Sequence, residues 1–212
     1  MSNLGLITAR GGSERLPGKN TVDLDGKPLI AWTIEAAKES KMFDRLVCST
    51  DDHGIAAVAA KYGCEVLERP KELAQADSTS LAVVEDAYRK IPLHTICLLQ
   101  PTSPFRTAED IKKSYETLYA MGADAVVSVT EASSDIAFEL GSLNRLRPKP
   151  NTYVCNGAIY LITAKHLISR GDWYNGVSYA YIMPRERSID IDTKWDLDRA
   201  RAYADMIKTK VA

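Results

Sequence analysis

Apolar runs alternate with amphipathic stretches over the first 130 residues of the chain. Short apolar runs bounded by turn residues predict buried strands at 4–8, 45–49, 65–68, 95–99 and 125–130. Between them, apolar residues spaced three or four apart predict helices at 29–40, 51–62, 80–90 and 108–121. Each return to a parallel neighbour needs a helical crossover. The alternation therefore predicts an α/β fold, a three-layer sandwich with helices on both faces of a mostly parallel sheet.

The pattern breaks after residue 130. Residues 131–151 are polar, contain Pro148 and Pro150, and include one alternating apolar stretch that suggests a strand. Further strands and helices are predicted at 158–162, 163–169, 179–182 and 194–210. We therefore expect a single domain over residues 1–212, with 131–155 and about 170–182 forming a small inserted arm. A dimer contact and a long surface loop are both compatible with the composition of that arm.

The charge of the chain is nearly balanced, with 27 Lys and Arg against 28 Asp and Glu. A net charge of -1 argues against nucleic-acid and membrane partners, which need a broad basic field. No apolar run is long enough to cross a bilayer, and the first residues lack a signal-peptide pattern. The four cysteines have no C-x-x-C pairing, which indicates reduced thiols in the cytoplasm. Because the overall charge is nearly balanced, an anionic ligand would have to be held by a local arrangement of donors.

Glycines and cations are concentrated in a loop directly after the first predicted strand, ARGGSERLPGKN at residues 9–20. In open parallel sheets, ligands bind beyond the carboxyl ends of the strands, where this loop falls. Its three glycines allow backbone N–H groups to approach phosphate oxygens, and Arg10, Arg15 and Lys19 add positive charge. The loop therefore predicts a phosphate-binding site, with a solvated glycine-rich turn as the alternative.

The loop matches neither of two common phosphate-binding templates. In a P-loop, four residues separate the glycines and a hydroxyl residue follows the lysine, but here five separate Gly12 from Gly18 and Asn20 follows Lys19. A dinucleotide fingerprint opens directly into a helix, and here Pro17 and a polar stretch intervene. The loop therefore predicts another type of nucleotide site.

Two carboxylates are spaced two residues apart in the segment Ser188-Ile189-Asp190-Ile191-Asp192. In an extended chain both carboxylates share one face, while both isoleucines pack behind it. Neighbouring carboxylates repel each other unless a cation lies between them or one is protonated. With phosphates nearby, Mg²⁺ is the natural cation. The alternative is a solvated strand edge followed by a helix cap.

Seven segments in chain order resemble the motifs of the acylneuraminate cytidylyltransferases, also called CMP-sialic acid synthetases. They are ARGGSERLPGKN, DLDGKPLIAWTIEAA, FDRLVCSTDD, ERPKELAQADSTS, LLQPTSPFRTAEDI, NGAIYL and SIDIDTKWDL. The resemblance spans about residues 4–200, with a gap across 131–153. It implies a Rossmann-like sheet of the nucleotide-diphospho-sugar transferase type and a homodimer. It also implies Mg²⁺-dependent transfer of CMP from CTP to the anomeric hydroxyl of a sialic-type nonulosonic acid, with release of pyrophosphate.

The resemblance assigns nucleotide binding to the signature loop and to two later segments. These contacts would come from Arg10, Gly11, Gly12, Ser13, Arg15, Lys19, Asn20, Arg69, Ser78 and Ser80. Glu14 departs from the family pattern, in which many relatives carry Lys, so either Arg15 compensates for it or Glu14 faces solvent. The segment 78–80 also suits an N-cap, with Ser80 capping the next helix while Ser78 faces the base.

By resemblance, the acceptor sugar is bound by Gln100, Arg147, Asn156 and Tyr160, and magnesium by Asp190 and Asp192. The residues expected to act in catalysis are Arg10, Lys19, Gln100 and Asp192. The family spacing for an essential arginine leads to Leu146, so Arg147 is the nearest match together with Arg145. The resemblance also implies a supporting role for Arg106 at this site. Judged from its local pattern alone, Arg106 is expected to be a surface charge beside a helix.

Alternative functions remain open on the sequence alone. The acceptor could be another sugar acid, such as a legionaminic, KDN, pseudaminic or Kdo-like acid. An enzyme for mannose- or glucose-1-phosphate is a more distant alternative, which the LLQPTSP and SIDID segments disfavour. Glu14 and the missing arginine at position 146 would suit a non-catalytic nucleotide-binding homologue. Residues 131–155, where acceptor preference would lie, match the family least.

Overall fold

The computed structural model of the protein describes residues 1–132, 137–140, 146–149, 152–169 and 171–211. For residues 137–140, 146–149 and 208–211 it describes the backbone alone. The strands are β1 Asn3–Thr8, β2 Asp23–Leu24, β3 Lys27–Pro28, β4 Arg45–Thr50, β5 Glu65–Glu68, β6 Thr95–Leu99, β7 Ala125–Glu131, β8 Ala137–Leu140, β9 Leu146–Lys149, β10 Tyr153–Thr163 and β11 Ser178–Ile182. The helices are α1 Leu29–Ser40, α2 His53–Lys61, α3 Ser80–Lys90, α4 Ala108–Ala120, α5 Ala164–Ile168 and α6 Lys194–Val211.

Seven of the strands form one sheet in the order β11-β7-β10-β6-β1-β4-β5. All neighbouring pairs are parallel except those of β10, which runs antiparallel to both β6 and β7. The predicted α/β fold with a mostly parallel sheet is therefore confirmed. The hydrophobic pattern did not predict the direction of β10, because alternation specifies which face a residue occupies but not which way a strand runs.

Helices cover both faces of the sheet. Apolar residues of α1, α2 and α4 form one cluster with one face, and those of α3 and α5 form another with the opposite face. A third cluster packs α6 against the β2–β3 hairpin and includes Ile189 and Ile191, which are 7% and 0% exposed. The isoleucines thus pack behind the two carboxylates as predicted. The third cluster anchors residues 188–192, which we call the acidic segment.

The two parts of the predicted arm differ in structure. Strands β8 and β9 pair with each other in a separate two-stranded sheet within residues 131–155. In contrast, β11 pairs in parallel with β7, so the segment expected at 170–182 contributes an edge strand to the central sheet. Tyr179 and Tyr181 pack against the core cluster of α1, α2 and α4, which explains why the strand joins the sheet. A dimer contact by either segment stays a prediction.

Within the described segments of the chain, no helix is both long and apolar enough to cross a bilayer.

Candidate functional site

A polar cleft of about 450 Å³ opens beyond the carboxyl ends of β1 and β6. Sequence-predicted residues that line it are Arg10, Ser13, Arg15, Lys19, Asn20, Arg69, Ser78, Ser80, Gln100, Asp190 and Asp192. Glu14, Gln75 and Thr102 also line the cleft. The tertiary structure therefore brings together most of the residues that the sequence had singled out in separate segments.

The glycine loop is held in shape by hydrogen bonds to its own backbone. Asn20 is 5% exposed and donates from Nδ2 to the carbonyl oxygen of Arg10 at 3.0 Å. The N–H of Gly11 donates to Asp51 Oδ1 at 3.1 Å. A Cβ on Gly11 would lie 2.9 Å from Asp52 Oδ2, so the approach of this carboxylate requires glycine. Gly11 and Asn20 therefore shape the loop in this structure. The backbone N–H of Gly11 already has a partner, the carboxylate of Asp51.

The segments predicted to read the base form the wall beside this loop. Arg69 is 6% exposed and donates from Nε to Ser49 Oγ at 3.2 Å and from Nη2 to the Ser49 carbonyl at 2.7 Å. Arg10 donates to the carbonyl of Gln75 in the same wall. The two arginines thus tie this wall to β4 and to the glycine loop.

The cap of α3 differs from the expectation. Thr79, and not Ser80, is the N-cap, since its Oγ1 accepts a hydrogen bond from the N–H of Ala82 at 3.2 Å. Ser78 Oγ donates to the carbonyl of Glu72 at 3.1 Å. With Thr79 capping the helix, Ser80 is the first helical residue and lines the cleft together with Ser78.

Asp192 is the centre of an ion-pair cluster in the cleft. Lys19 Nζ lies 2.8 Å from Asp192 Oδ1, and Arg15 Nη2 lies 2.7 Å from Oδ2. Lys19 is largely enclosed, with its side chain 16% exposed, whereas the side chain of Arg15 is 67% exposed. Desolvation alone would raise the pKa of Asp192, but the hydrogen bonds and charges of Lys19 and Arg15 outweigh it and lower that pKa. Asp192 is therefore a stable anion.

Asp190 lies in the same cleft but in a different electrostatic environment. Desolvation by the surrounding protein and repulsion from Asp192 raise its pKa, against a hydrogen bond from Thr102 and the charge of Lys19. Both carboxylates offer the hard oxygen ligands that Mg²⁺ prefers. No cluster of three or more acidic, histidine or cysteine ligands occurs in the described part of the chain. A magnesium ion here would thus need substrate oxygens to complete its coordination, as is usual for this ion.

Gly157 lies beside Gln100 and Asp190, two of the residues that line the cleft. It has a φ of +74°, within a register shift of β10 between Cys155 and Tyr160. A Cβ on Gly157 would lie 2.8 Å from Gln100 Oε1, 2.9 Å from Ser103 Oγ and 3.5 Å from Asp190 Oδ2. Glycine is therefore required both by the backbone conformation and by the close approach of these polar side chains.

Asn156 and Tyr160, both predicted sugar contacts, are not among the residues that line the cleft. Asn156 is 3% exposed, and its side chain accepts from Ser128 Oγ at 2.6 Å and donates to Ser188 Oγ at 2.9 Å. It thus ties the irregular part of β10 to the acidic segment. Tyr160 packs on Trp173 at 5.3 Å between ring centroids, and burial raises the pKa of its hydroxyl. The side chain of Arg147 lies outside the described residues.

Arg106 contradicts the expectation of a surface charge. Arg106 is only 2% exposed. Its guanidinium donates hydrogen bonds to the carbonyl of Ala158 at 2.7 Å, to Thr33 Oγ1 at 2.6 Å and to the carbonyl of Gln100. The sequence offered no signal for this burial, because an arginine before a helix has the same local pattern whether it is buried or solvated.

Asp110 is a second buried charge that the sequence did not reveal. It is 1% exposed, belongs to the capping box of α4, and pairs with Arg187, while Tyr181 Oη donates to its Oδ1 at 2.9 Å. Desolvation opposes ionisation, but the hydrogen bonds and charge of Arg187 and the bonds from Thr107 outweigh it and lower the pKa of Asp110. The pair connects α4 to the turn that precedes the acidic segment.

Replacing Asp110 by Asn is expected to lower the free energy of unfolding by about 2 kcal/mol or more at pH 7, because Arg187 loses its carboxylate partner. The lowered pKa means that the ionised form stabilises the fold above the pKa of an unfolded Asp, about 4, and that this contribution is lost as the pH falls through the lowered value. Urea unfolding at pH 7 and at about pH 3 measures both effects. The difference from the wild type should shrink at the lower pH.

The matched control for Asp110 is Glu109→Gln, a neighbour in α4 whose ion pair with Lys113 is exposed at 3.7 Å. This change is expected to alter stability by about 0.5 kcal/mol or less. Equal effects of the two substitutions would contradict a structural role for the Asp110–Arg187 pair.

The fold and the cleft together define a nucleotidyltransferase-like α/β protein. Solved structures support this class at the level of the fold. The structure of CMP:2-keto-3-deoxy-manno-octonic acid synthetase complexed with CTP matches with a TM-score of 0.77 at 15% identity, covering 98% of this chain and 100% of the other. A 4-diphosphocytidyl-2C-methyl-D-erythritol synthase from Anaerococcus prevotii matches with a TM-score of 0.73 at 16% identity, covering 96% of each chain.

The chain belongs to the cytidylyltransferase family, whose model matches residues 4–165. It is 38% identical to the CMP-N,N'-diacetyllegionaminic acid synthase of Legionella pneumophila, over 92% of this chain and 93% of the relative. It is 34% identical to the pseudaminic acid cytidylyltransferase of Campylobacter jejuni, over 95% of each chain. It is also 36% identical to the N-acylneuraminate cytidylyltransferase of Escherichia coli over 93% of this chain, which spans about half (51%) of that relative's length. The predicted family and enzyme class are confirmed.

Proposed function

We propose that the protein transfers CMP from CTP to the anomeric hydroxyl of a sialic-type nonulosonic acid and releases pyrophosphate. The observation that carries this proposal is the layout of the cleft, in which Lys19 and Arg15 form ion pairs with Asp192, while Asp190 and Gln100 line the same cleft and both lie close to Gly157. Three relatives of 34–38% identity are named for CMP transfer to acids of this class, which supports the same chemistry here.

The nucleotide would lie along the glycine loop and the wall that contains Arg69. CTP carries about four negative charges, and fixed cations at the site where that charge accumulates stabilise it most when water is largely excluded. Lys19 is enclosed in the cleft and Arg10 is held by the opposite wall, so both are positioned before the nucleotide arrives. Ser78 and Ser80 supply hydroxyls that suit the polar edge of a pyrimidine.

The reaction needs little covalent chemistry from the protein. The acceptor hydroxyl would attack the α-phosphorus in line with the departing pyrophosphate, so positioning and charge neutralisation supply the acceleration. Arg10 and Lys19 offset charge on the α-phosphoryl and pyrophosphate groups, while Gln100 orients the sugar acid. We propose Asp190 and Asp192 as the ligands of Mg²⁺, which would neutralise phosphate charge and lower the pKa of the attacking hydroxyl.

Pyrophosphate release from a panel of acceptors tests the proposal most directly. The panel contains N-acetylneuraminic, legionaminic, pseudaminic and KDN acids and Kdo, each with CTP, UTP, ATP and GTP. We expect release with CTP and at least one nine-carbon acid, and little with the other nucleotides. Release with mannose- or glucose-1-phosphate in place of a sugar acid would contradict the proposal. No release with any combination, while CTP still binds, would indicate a non-catalytic homologue.

We also propose that the protein is a cytoplasmic homodimer. Exposed apolar side chains at the start of β10 and on β11 support a second copy as the partner, since Tyr153, Val154 and Ile182 are 45%, 48% and 56% exposed. Light scattering on the purified protein measures its mass in solution. A mass of one chain at micromolar concentration would contradict the homodimer.

Arg15→Ala is expected to weaken CTP binding more than Glu14→Ala does. Arg15 is the more exposed of the two cations paired with Asp192, and by turning toward the triphosphate it would compensate for the acidic residue at position 14. Titration calorimetry with CTP measures both variants against the wild type, with an expected loss of about 5- to 10-fold for Arg15→Ala. Equal and negligible effects of the two substitutions would rule out compensation by Arg15.

A further inference from the structure

Arg106 is buried beside Gln100, a predicted acceptor contact that lines the cleft, and it contacts three separate parts of the fold. Its guanidinium donates to the carbonyl of Gln100 after β6, to the carbonyl of Ala158 in the irregular part of β10, and to Thr33 Oγ1 on α1. The planar fork of a guanidinium can serve several acceptors at fixed angles, which an ammonium group cannot do. One side chain thus fixes the relative positions of two strands at the point where they meet the cleft.

The residues that Arg106 holds are adjacent to the predicted acceptor contacts. Gln100 is itself one of these contacts, and Ala158 directly follows Gly157. Gln100 Oε1 lies within 2.8 Å of the position that a Cβ on Gly157 would occupy. A small separation of β6 from β10 would therefore change the spacing between Gly157 and Gln100, and so the position of the Gln100 side chain in the cleft.

The energetics of Arg106 argue against a role in packing alone. Among the described residues, no carboxylate lies within ion-pair distance of it, although the charges of Asp110 and Asp190 act on it, and its hydrogen-bond partners are two carbonyls and one hydroxyl. Burial lowers the pKa of its guanidinium to about 10, so the group still carries its charge at neutral pH. A buried charge without an ion-pair partner is costly, and apolar residues of similar volume often stabilise a core more.

We propose that Arg106 is a positioning residue for the acceptor, which it never touches: it holds Gln100 and the Gly157–Ala158 backbone at the spacing that binds the sugar acid. This inference rests on the proposed function, because it assigns the acceptor to the part of the cleft beside Gln100. It predicts that loss of the guanidinium weakens use of the acceptor while the nucleotide half, built from the glycine loop and Arg69, keeps its affinity for CTP.

The test compares Arg106→Lys with Thr33→Val. The lysine variant keeps the charge but cannot reach all three acceptors, whereas Thr33→Val removes only the contact on α1, away from the cleft. For each purified protein we measure the melting temperature, the Kd for CTP, and kcat and KM for the best acid of the panel. Arg106→Lys is expected to raise the acceptor KM at least about 10-fold with a CTP Kd within about 2-fold of the wild type. Thr33→Val is expected to lower the melting temperature while leaving the acceptor KM unchanged.

Three outcomes would overturn the proposal. The first is an unchanged acceptor KM in Arg106→Lys, and the second is an equal rise in KM in Thr33→Val, which would indicate general loosening of the core. The third is that Arg106→Lys and a second variant, Arg106→Gln, both fail to fold while Thr33→Val folds, which would make the role purely structural. A wild-type protein that binds CTP but uses no acid of the panel would instead refute the proposed function, so the two failures are distinguishable.

Discussion

Asp192→Asn is expected to reduce kcat on the order of 10³-fold or more, even at saturating magnesium. In the structure both oxygens of Asp192 carry ion pairs, one with Lys19 at 2.8 Å and one with Arg15 at 2.7 Å. An amide keeps the shape but loses the charge that fixes Lys19 in the cleft and that would bind Mg²⁺. Steady-state kinetics over a range of magnesium concentrations measures the effect.

The control for Asp192 is Asp198→Asn on the exposed side of α6. Asp198 pairs with Lys194 at 3.2 Å, and both side chains are more than half exposed. We expect this variant to keep wild-type kcat and stability, since exposed pairs contribute about 1 kcal/mol or less. Near-normal turnover by Asp192→Asn would show that Asp192 is not a metal ligand needed for the reaction.

Gly157→Ala is the other change for which a large effect is expected. The new methyl group would lie within 3.0 Å of Gln100 Oε1 and Ser103 Oγ, and Ser103 is fully buried, so Gln100 must move. Displacement of Gln100 is expected to lower kcat/KM for the sugar acid about 100-fold, because small errors in positioning are costly to catalysis. The Kd for CTP should stay within a few-fold of the wild type.

Gly122→Ala separates backbone strain from this steric effect. Gly122 also has a positive φ, +58°, but no atom lies within 4 Å of the position of its Cβ. Its substitution measures the cost of placing alanine in the left-handed region, about 1–2 kcal/mol, without disturbing the cleft. If Gly157→Ala loses stability as Gly122→Ala does but keeps the wild-type kcat/KM for the sugar acid, then Gly157 does not set the position of the acceptor.

The hydrophobic pattern was sufficient to locate most strands and helices, but it did not recover every strand in full. Strands such as β1 and β6 are rich in apolar residues and buried along nearly their whole length, so their apolar runs and flanking turn residues located them within a residue or two. The same pattern located only the second half of β10, because residues 153–155 are exposed there and lack the alternation of a half-buried strand. The β2–β3 hairpin was missed since each of its strands has only two residues.

The candidate site was predictable wherever the chemistry is concentrated in a short segment. The cations of the glycine loop and the Asp190–Asp192 pair could be found because residue type and spacing carry the signal. Asn156 shows the limit of this approach, since the family resemblance assigned it to the sugar, whereas its side chain is buried between Ser128 and Ser188. The identity of a polar residue does not reveal whether its side chain faces a ligand or forms hydrogen bonds with buried groups of the protein.

The amino-acid sequence by itself determined the order of most strands and helices, the concentration of glycines and cations in the first loop and the cytidylyltransferase family, since each can be recognised from residues that are close together along the chain. Only the tertiary structure decided which charges meet. Lys19 and Asp192 are 173 residues apart in sequence yet form an ion pair, and Arg106 becomes a buried link under the cleft. Such contacts depend on how strands pack side by side, and hydrophobic periodicity specifies which face of an element is buried without specifying what lies against it.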